Sequence, residues 1–236
     1  GTEEGLMHGV ETRLTLDQVF PWGRSFHEYC RIFALRSVDL AGRILGCGDG
    51  PASFNATLSA RGGRVVSADP LYQFSADEIR SRVEIARDRI VPNTRQNVAA
   101  FRWDEIPSIE AMVELRMRAM EEFLLDFERG KSESRYRPMG LPELPFADKS
   151  FDLVLCSHFL FLYSPTLNLD FHLAAMDEML RVGQEVRVFP LRDFDGGPSA
   201  YVEPVIAALR AGGRRVEVRP VPYEFQRGAN AMLVAR

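Results

Sequence analysis

The stretch Arg43-Ile44-Leu45-Gly46-Cys47-Gly48-Asp49-Gly50-Pro51 decides how this chain reads. A short apolar run enters three glycines spaced G-x-G-x-G, and Pro51 favours a first helical turn directly after them. Phe54 and Leu58 stand four residues apart on the inward face of that helix, and Gly62-Gly63 stops it. Arg64 to Ala68 reads as the next strand, ending at Asp69-Pro70. A glycine loop between a strand and a helix lets a ligand approach the backbone, where unpaired N–H groups point at it. An acid at the tip of the following strand suits a ribose, because a carboxylate accepts hydrogen bonds from two vicinal hydroxyls. Asp69 lies 19 residues beyond Gly50, near the roughly 20 expected of such units. Pro51 stands where a dinucleotide fingerprint would need its third glycine. A G-x-x-x-x-G-K-[ST] phosphate loop is absent too, since the only lysines are Lys131 and Lys149.

Outward from this unit, strands and helices alternate, as in a mostly parallel sheet covered by helices. Residues 1–40 read as an N-terminal arm and helix, with Phe26, Tyr29, Cys30, Phe33 and Ala34 on one face. Residues 71–134 exceed an ordinary crossover and read as a helical insertion after strand two. One helix carries Ile79, Val83, Ala86 and Ile90. The other starts at Pro107-Ser108, carries Met112, Met120, Phe123 and Phe127, and ends at Gly130. The Met112, Met117 and Met120 face reads as core, and the whole insertion as a lid over the cleft, a dimer contact, or a pair of helices packing only onto its own domain. Arg135–Met139, Phe151–Cys156 and Glu185–Phe189 read as further strands, with Asn168–Val182 and Val202–Ala211 as helices. Arg215–Arg219 and Ala229–Ala235 read as an antiparallel pair closing the sheet. The expected fold is α/β: a Rossmann-like seven-stranded mostly parallel sheet with an antiparallel last strand, all within a single domain over 1–236.

The 236 residues carry a net charge of −4 with 46% hydrophobic and 26% charged residues, so the chain can bury a sizeable core. The mild acidity disfavours broad nucleic-acid binding. Within 71–140 acidic residues outnumber basic ones by one, so the insertion is not a basic clamp either. Cys30, Cys47 and Cys156 are odd in number and widely spaced, which fits a reducing compartment without disulfides or structural zinc. No secretory leader is visible at Gly1-Thr2-Glu3-Glu4, and no apolar stretch is long enough to span a bilayer. These features imply a cytoplasmic protein with no membrane association and no metal.

Three segments resemble class I S-adenosylmethionine-dependent methyltransferases of the type 11-like kind. They are the Ile44–Gly50 loop with Val65-Val66-Ser67-Ala68-Asp69-Pro70, the run from Leu144-Pro145-Phe146 through Phe151-Asp152-Leu153-Val154 to His158, and the helix Asp177–Val182 leading into Glu185–Phe189. The resemblance covers roughly residues 35–70 and 135–236. It implies S-adenosyl-L-methionine as cofactor, with Gly46, Cys47, Gly48 and Gly50 against its methionine half. It places Asp69 on the ribose hydroxyls, Pro70 and Leu71 beside the adenine, and Ser157 and His158 facing the reacting methyl. Two positions depart from the pattern: Ile44 stands where many members carry an acid, and Gly140 stands where many carry an adenine-binding Asp, with Glu143 close but not aligned.

His158 is the candidate catalytic base, since its ordinary pKa of about 6.5 serves near neutral pH. Trp22, Arg24 and Tyr29 form a candidate lid from the arm, with Arg24 suited to a carboxylate or phosphate. Tyr163 lies where it can reach the cleft, while His172, in mid-helix, reads as a surface residue. Leu155 before Cys156 denies a Pro-Cys nucleophile, and Cys156-Ser157-His158-Phe159 replaces the Asn/Asp-Pro-Pro-aromatic motif of amino methylation. The expected acceptor is therefore a small molecule rather than nucleic acid, handled by a monomer or homodimer. The competing readings are a non-catalytic S-adenosylmethionine-binding or scaffold relative, motivated by Ile44 and Gly140, and an RNA or protein methyltransferase.

Overall fold

The computed structural model describes residues 19–236, so residues 1–18 of the expected arm lie outside the described residues. Seven strands form one sheet: β1 (Arg43–Cys47), β2 (Arg64–Ala68), β3 (Tyr136–Arg137), β4 (Phe151–Ser157), β5 (Gly183–Phe189), β6 (Val216–Pro220) and β7 (Ala231–Ala235). Their order is β3-β2-β1-β4-β5-β7-β6, and β7 runs antiparallel to both of its neighbours. This is the expected sheet with its reversed last strand. The chain winds outward to one side from β1 and to the other from β4, which pair in parallel with Ile44 opposite Leu153 and Cys47 opposite Cys156. Ligands in such sheets bind beyond the carboxyl ends of the strands at this switch point.

Central strands buried on both faces read as unbroken apolar runs, and β4 keeps only Asp152 exposed. Asp152 sits at the rim and accepts from the Arg43 backbone N–H at 2.7 Å and its guanidinium at 3.0 Å. Alternate residues feed two cores. Leu45, Val154 and Cys156 meet the helices α6 (Leu169–Val182) and α7 (Val202–Ala211). Ile44, Leu153 and Leu155 meet α1 (Phe26–Ile32) and α3 (Phe54–Ala60), where Tyr29 stacks on Phe54. A short α2 (Ser37–Leu40) links α1 to β1.

The insertion is a pair of long helices, α4 (Ala76–Gln96) and α5 (Ile109–Ser132). Ser75 and Glu78 form a capping box on α4, and Ser108 caps α5 by accepting from the Ala111 N–H. Their apolar faces build a third core with Tyr72 and Tyr136 at the β2–β3 edge, including Ile79, Val83, Phe123 and Phe127.

Four local expectations are corrected. The helix after the glycine loop begins at Phe54, because the loop needs Pro51 to Ser53 to turn back. Gly130 lies inside α5, where the missing side chain makes room for the Tyr136 ring. Strand β3 is only two residues long, because beyond Arg137 the chain turns to line the cleft. His172 is fully buried, its Nε2 accepting from the Phe161 N–H at 2.9 Å while Nδ1 bonds the Asn168 carbonyl at 2.8 Å. Burial holds its pKa below the ordinary value. Among the described residues no helix is long and apolar enough to cross a membrane.

Candidate active site

The glycine loop leaves β1 through two left-handed residues, Gly48 (φ 71°) and Gly50 (φ 53°), a conformation that costs other residues free energy. The Gly50 N–H donates to Asp69 Oδ2 at 2.9 Å, and the Leu71 N–H donates to Oδ1 at 2.9 Å. The two bonds fix the carboxylate at the tip of β2. Each oxygen keeps a further lone pair. Burial raises the Asp69 pKa, and the two N–H bonds work against that rise. Tyr72 locks the loop from outside by donating to the Gly50 carbonyl at 2.8 Å.

Asp49, between the glycines, turns inward beneath the loop. It accepts from Tyr29 at 2.9 Å and from Ser67 at 2.6 Å, and burial pushes its carboxyl up to about 6. Its carboxylate fills the space that a side chain at position 46 would need, so Gly46 is required by Asp49. Above Gly50 the space is open, an added Cβ finding Asp69 only at 3.9 Å.

These groups open into a cavity of about 390 Å³ at the ends of β1 and β4. Of the residues named from sequence, Gly48, Gly50, Asp69, Pro70, Leu71, Ser157, His158, Trp22, Arg24, Tyr29 and Tyr163 line it together. Gly46 and Cys47 do not line it: they stay within the strand, Cys47 facing the core. Gly140 and Leu141 join Pro70 and Leu71 as an apolar wall, while Glu143 is exposed. Ile44 is fully buried among apolar side chains, where an acid would have no partner.

His158 is left-handed (φ 54°) and hands its N–H to the Phe189 carbonyl at 2.7 Å. Such backbone strain clusters at functional sites. Its Nδ1 shares a hydrogen bond of 2.6 Å with Ser157 Oγ, and its ring meets Phe189 edge-on. Burial, and then the charges of Arg24 and Arg116, hold its pKa well below 6.5, so the imidazole is neutral at physiological pH. Burial, followed by Arg116, also lowers Arg24 to about 10.

The insertion and the β6–β7 connection supply residues that sequence reasoning missed. Arg116 of α5 donates to both oxygens of Glu28 on α1, at 2.6 and 2.5 Å, and Tyr223 donates to the same carboxylate at 2.9 Å. Burial opposes both charges, but each outweighs it for the other, raising the Arg116 pKa and lowering that of Glu28. Arg116, Tyr223, Phe225 and Phe189 all line the cavity. One signal in the sequence pointed there: Arg116 interrupts the apolar face Met112, Arg116, Met120 at a spacing of four.

No protein-family model matches the chain. The uncharacterized protein MJ0045 of Methanocaldococcus jannaschii is 30% identical over 224 residues, spanning 94% of this chain and 98% of its own length. Among solved structures, a SAM-dependent methyltransferase from Aquifex aeolicus is 14% identical and aligns over 89% of this chain and 87% of its own, with a TM-score of 0.42. N-methyltransferase NodS from Bradyrhizobium japonicum is 16% identical over 89% of this chain and 94% of its own, with a TM-score of 0.45. At TM-scores below 0.5, these likenesses decide nothing about the chemistry of this chain.

Proposed function

The chain belongs to the same family as the MJ0045 protein of Methanocaldococcus jannaschii, and we propose that it binds S-adenosyl-L-methionine and transfers the methyl group to a small-molecule acceptor. One observation carries the reading. The Gly50 N–H and the Asp69 carboxylate are locked together where β1 and β2 end, beside the β1–β4 switch point, and the cavity they line also includes His158. The site fits the cofactor: the space over Gly50 is open, and both Asp69 oxygens retain acceptor capacity for vicinal hydroxyls. Asp69 would hold the ribose, Pro70, Leu71 and Gly140 would border the adenine, and Gly48 and Gly50 would lie along the methionine half. When bound, the cofactor supplies a methyl group already activated by its sulfonium.

The chain's own work is to orient the acceptor, exclude water and take a proton where the acceptor carries one. In this reading His158 takes it at Nε2; burial and the charges of Arg24 and Arg116 make it a weaker base than a free imidazole, so it takes the proton only as methyl transfer makes that proton acidic. That role requires the tautomer in which Nδ1–H donates to Ser157 Oγ, leaving Nε2 unprotonated. Trp22, Arg24, Tyr29 and Tyr163 act as the lid and wall of the acceptor end. The size of the cavity and its aromatic lining favour a small molecule over RNA or protein. We further read residues 1–236 as one domain with 71–134 as its lid. It would work in the cytoplasm as a monomer or homodimer, its three cysteines kept as thiols.

Titration calorimetry with S-adenosylmethionine and S-adenosylhomocysteine tests the reading. Saturable binding is expected, weakened at least about tenfold in Asp69→Ala because the ribose loses a charged acceptor. A wild-type protein that is folded but binds neither compound would overturn it. A non-catalytic relative would bind but would consume no cofactor in the presence of a cell-extract metabolite pool.

A further inference from the structure

Two arginines that line the cavity carry buried donors with nothing to meet them among the described residues. Arg24, on the arm, donates only to the Trp22 carbonyl, at 3.4 Å from Nη1. Arg116, on α5, uses Nη1 for both oxygens of Glu28, at 2.6 and 2.5 Å. The Nε of each arginine is buried and has no hydrogen-bond partner. A buried donor left unmade costs about 1–3 kcal/mol, and more when charged.

The carboxylates around them are bonded elsewhere. Glu28 is saturated: besides Arg116 it accepts from Tyr223 at 2.9 Å and from the Ser25 N–H at 3.1 Å. Asp49 accepts from Tyr29 and Ser67, and Asp69 from the N–H groups of Gly50 and Leu71. Two guanidiniums and Glu28 leave one positive charge. A ligand carboxylate brings one negative charge, in a plane that matches the fork of a guanidinium.

The pair borders both halves of the cavity. The Arg24 carbonyl accepts from the Ser53 N–H at 3.1 Å, just past the glycine loop, and Tyr29 of α1 reaches Asp49 in that loop. One residue earlier, Glu28 reaches the insertion through Arg116 and the β6–β7 connection through Tyr223. The Tyr223 ring in turn meets Phe189 edge to face at 6.0 Å. A carboxylate here has two sources, the methionine half of the cofactor and the acceptor.

Resting on the cofactor reading above for the first of those sources, we propose that Arg24 and Arg116 form a carboxylate-binding site in this cavity. One carboxylate of the bound ligand satisfies their Nε donors, while Glu28 and Tyr223 hold the Arg116 guanidinium in place.

Calorimetry tests the site in two arms. The first compares S-adenosylhomocysteine with its decarboxylated analogue, which keeps the ammonium and lacks only the carboxylate. The second compares benzoate, phenylacetate and indole-3-acetate with their amides, in free protein and in protein saturated with S-adenosylhomocysteine, with phenyl phosphate as the dianionic comparison. At least one arm is expected to show a preference of about tenfold or more for the carboxylate. A preference in the first arm, with no acid preferred once the protein is saturated, assigns the carboxylate to the cofactor. An acid preferred in saturated protein, with no preference in the first arm, assigns it to the acceptor. The preference should fall to within about twofold in Arg24→Met, which strands no paired carboxylate, and in Glu28→Gln/Arg116→Met, which keeps the buried charge balanced. Should either fail to fold, Arg24→Lys carries the same test, keeping the charge while losing the fork. The proposal would be overturned by no preference in either arm, by a preference that survives in a folded variant, or by phenyl phosphate binding free protein more tightly than every acid. Preferences in both arms with saturated protein would also overturn it, because they need two separate anion sites. A wild type that binds neither S-adenosylhomocysteine nor its analogue would sink the cofactor reading alone, since the acids titrated into free protein then score the site by themselves.

Discussion

The Asp49 carboxyl, pushed up to about 6 by burial, changes charge within an ordinary working range of pH. Its folded-state pKa lies above the unfolded value, so the folded protein holds the extra proton between about 4 and 6. The stability this group contributes is complete below that window and is lost as pH rises through about 6. His158 has the opposite sign: its folded pKa is depressed, so its contribution is present above about 6.5 and lost as pH falls. Comparison with Asp49→Asn isolates the carboxyl. From pH 4 to pH 7 the wild type should lose up to about 3 kcal/mol relative to the variant, read by urea unfolding at each pH. A difference that stays constant across that range would show that Asp49 titrates normally.

At the scale of elements, the arm is stapled to the glycine loop through backbone. The Ser53 N–H donates to the Arg24 carbonyl at 3.1 Å, and the α-carbon of Gly23 lies directly against the Pro51 carbonyl. A methyl group there would collide with an atom that cannot swing aside. Gly23→Ala is therefore expected to cost about 1–3 kcal/mol in equilibrium unfolding, the usual range for overpacking. It should also weaken cofactor binding, because the segment displaced carries Trp22 and Arg24 into the cavity. Unchanged stability and unchanged affinity would mean that the arm does not depend on this contact. Gly130 meets the same need in α5, where the Tyr136 ring occupies the place of a side chain.

Across the whole molecule, Glu28, Arg116 and Tyr223 join three distant parts of the chain: α1, the insertion, and the β6–β7 connection. Removing one partner of a buried pair strands the other charge, so Glu28→Ala should cost about 3–5 kcal/mol. The Glu28→Gln/Arg116→Met double variant should cost much less, because no charge is left stranded. Equilibrium unfolding of the singles and the double measures the coupling. Additive losses would show that packing, not charge, holds the insertion in place.

The sheet and the loop were legible because their signals are local. Glycines at a strand end, an acid at the next strand tip and apolar runs at β1, β4 and β5 depend on neighbours within a few residues. For the same reason Gly48, Gly50 and Asp69 could be placed on one loop and the next strand tip, and the length of the 71–134 segment announced extra helices between β2 and β3. The sequence by itself thus determined the order of elements and the glycine-loop end of the cavity. The cluster of Glu28, Arg116 and Tyr223 beside the cavity was decided only by the tertiary structure. Glu28 and Arg116 are 88 residues apart, and Glu28 and Tyr223 are 195 apart. No periodicity reaches across such distances, and a charged residue in a helix reads as solvated until its surroundings are known. Burial likewise decided what became of Asp49 and His172, because the cost of removing a polar group from water depends on what closes over it.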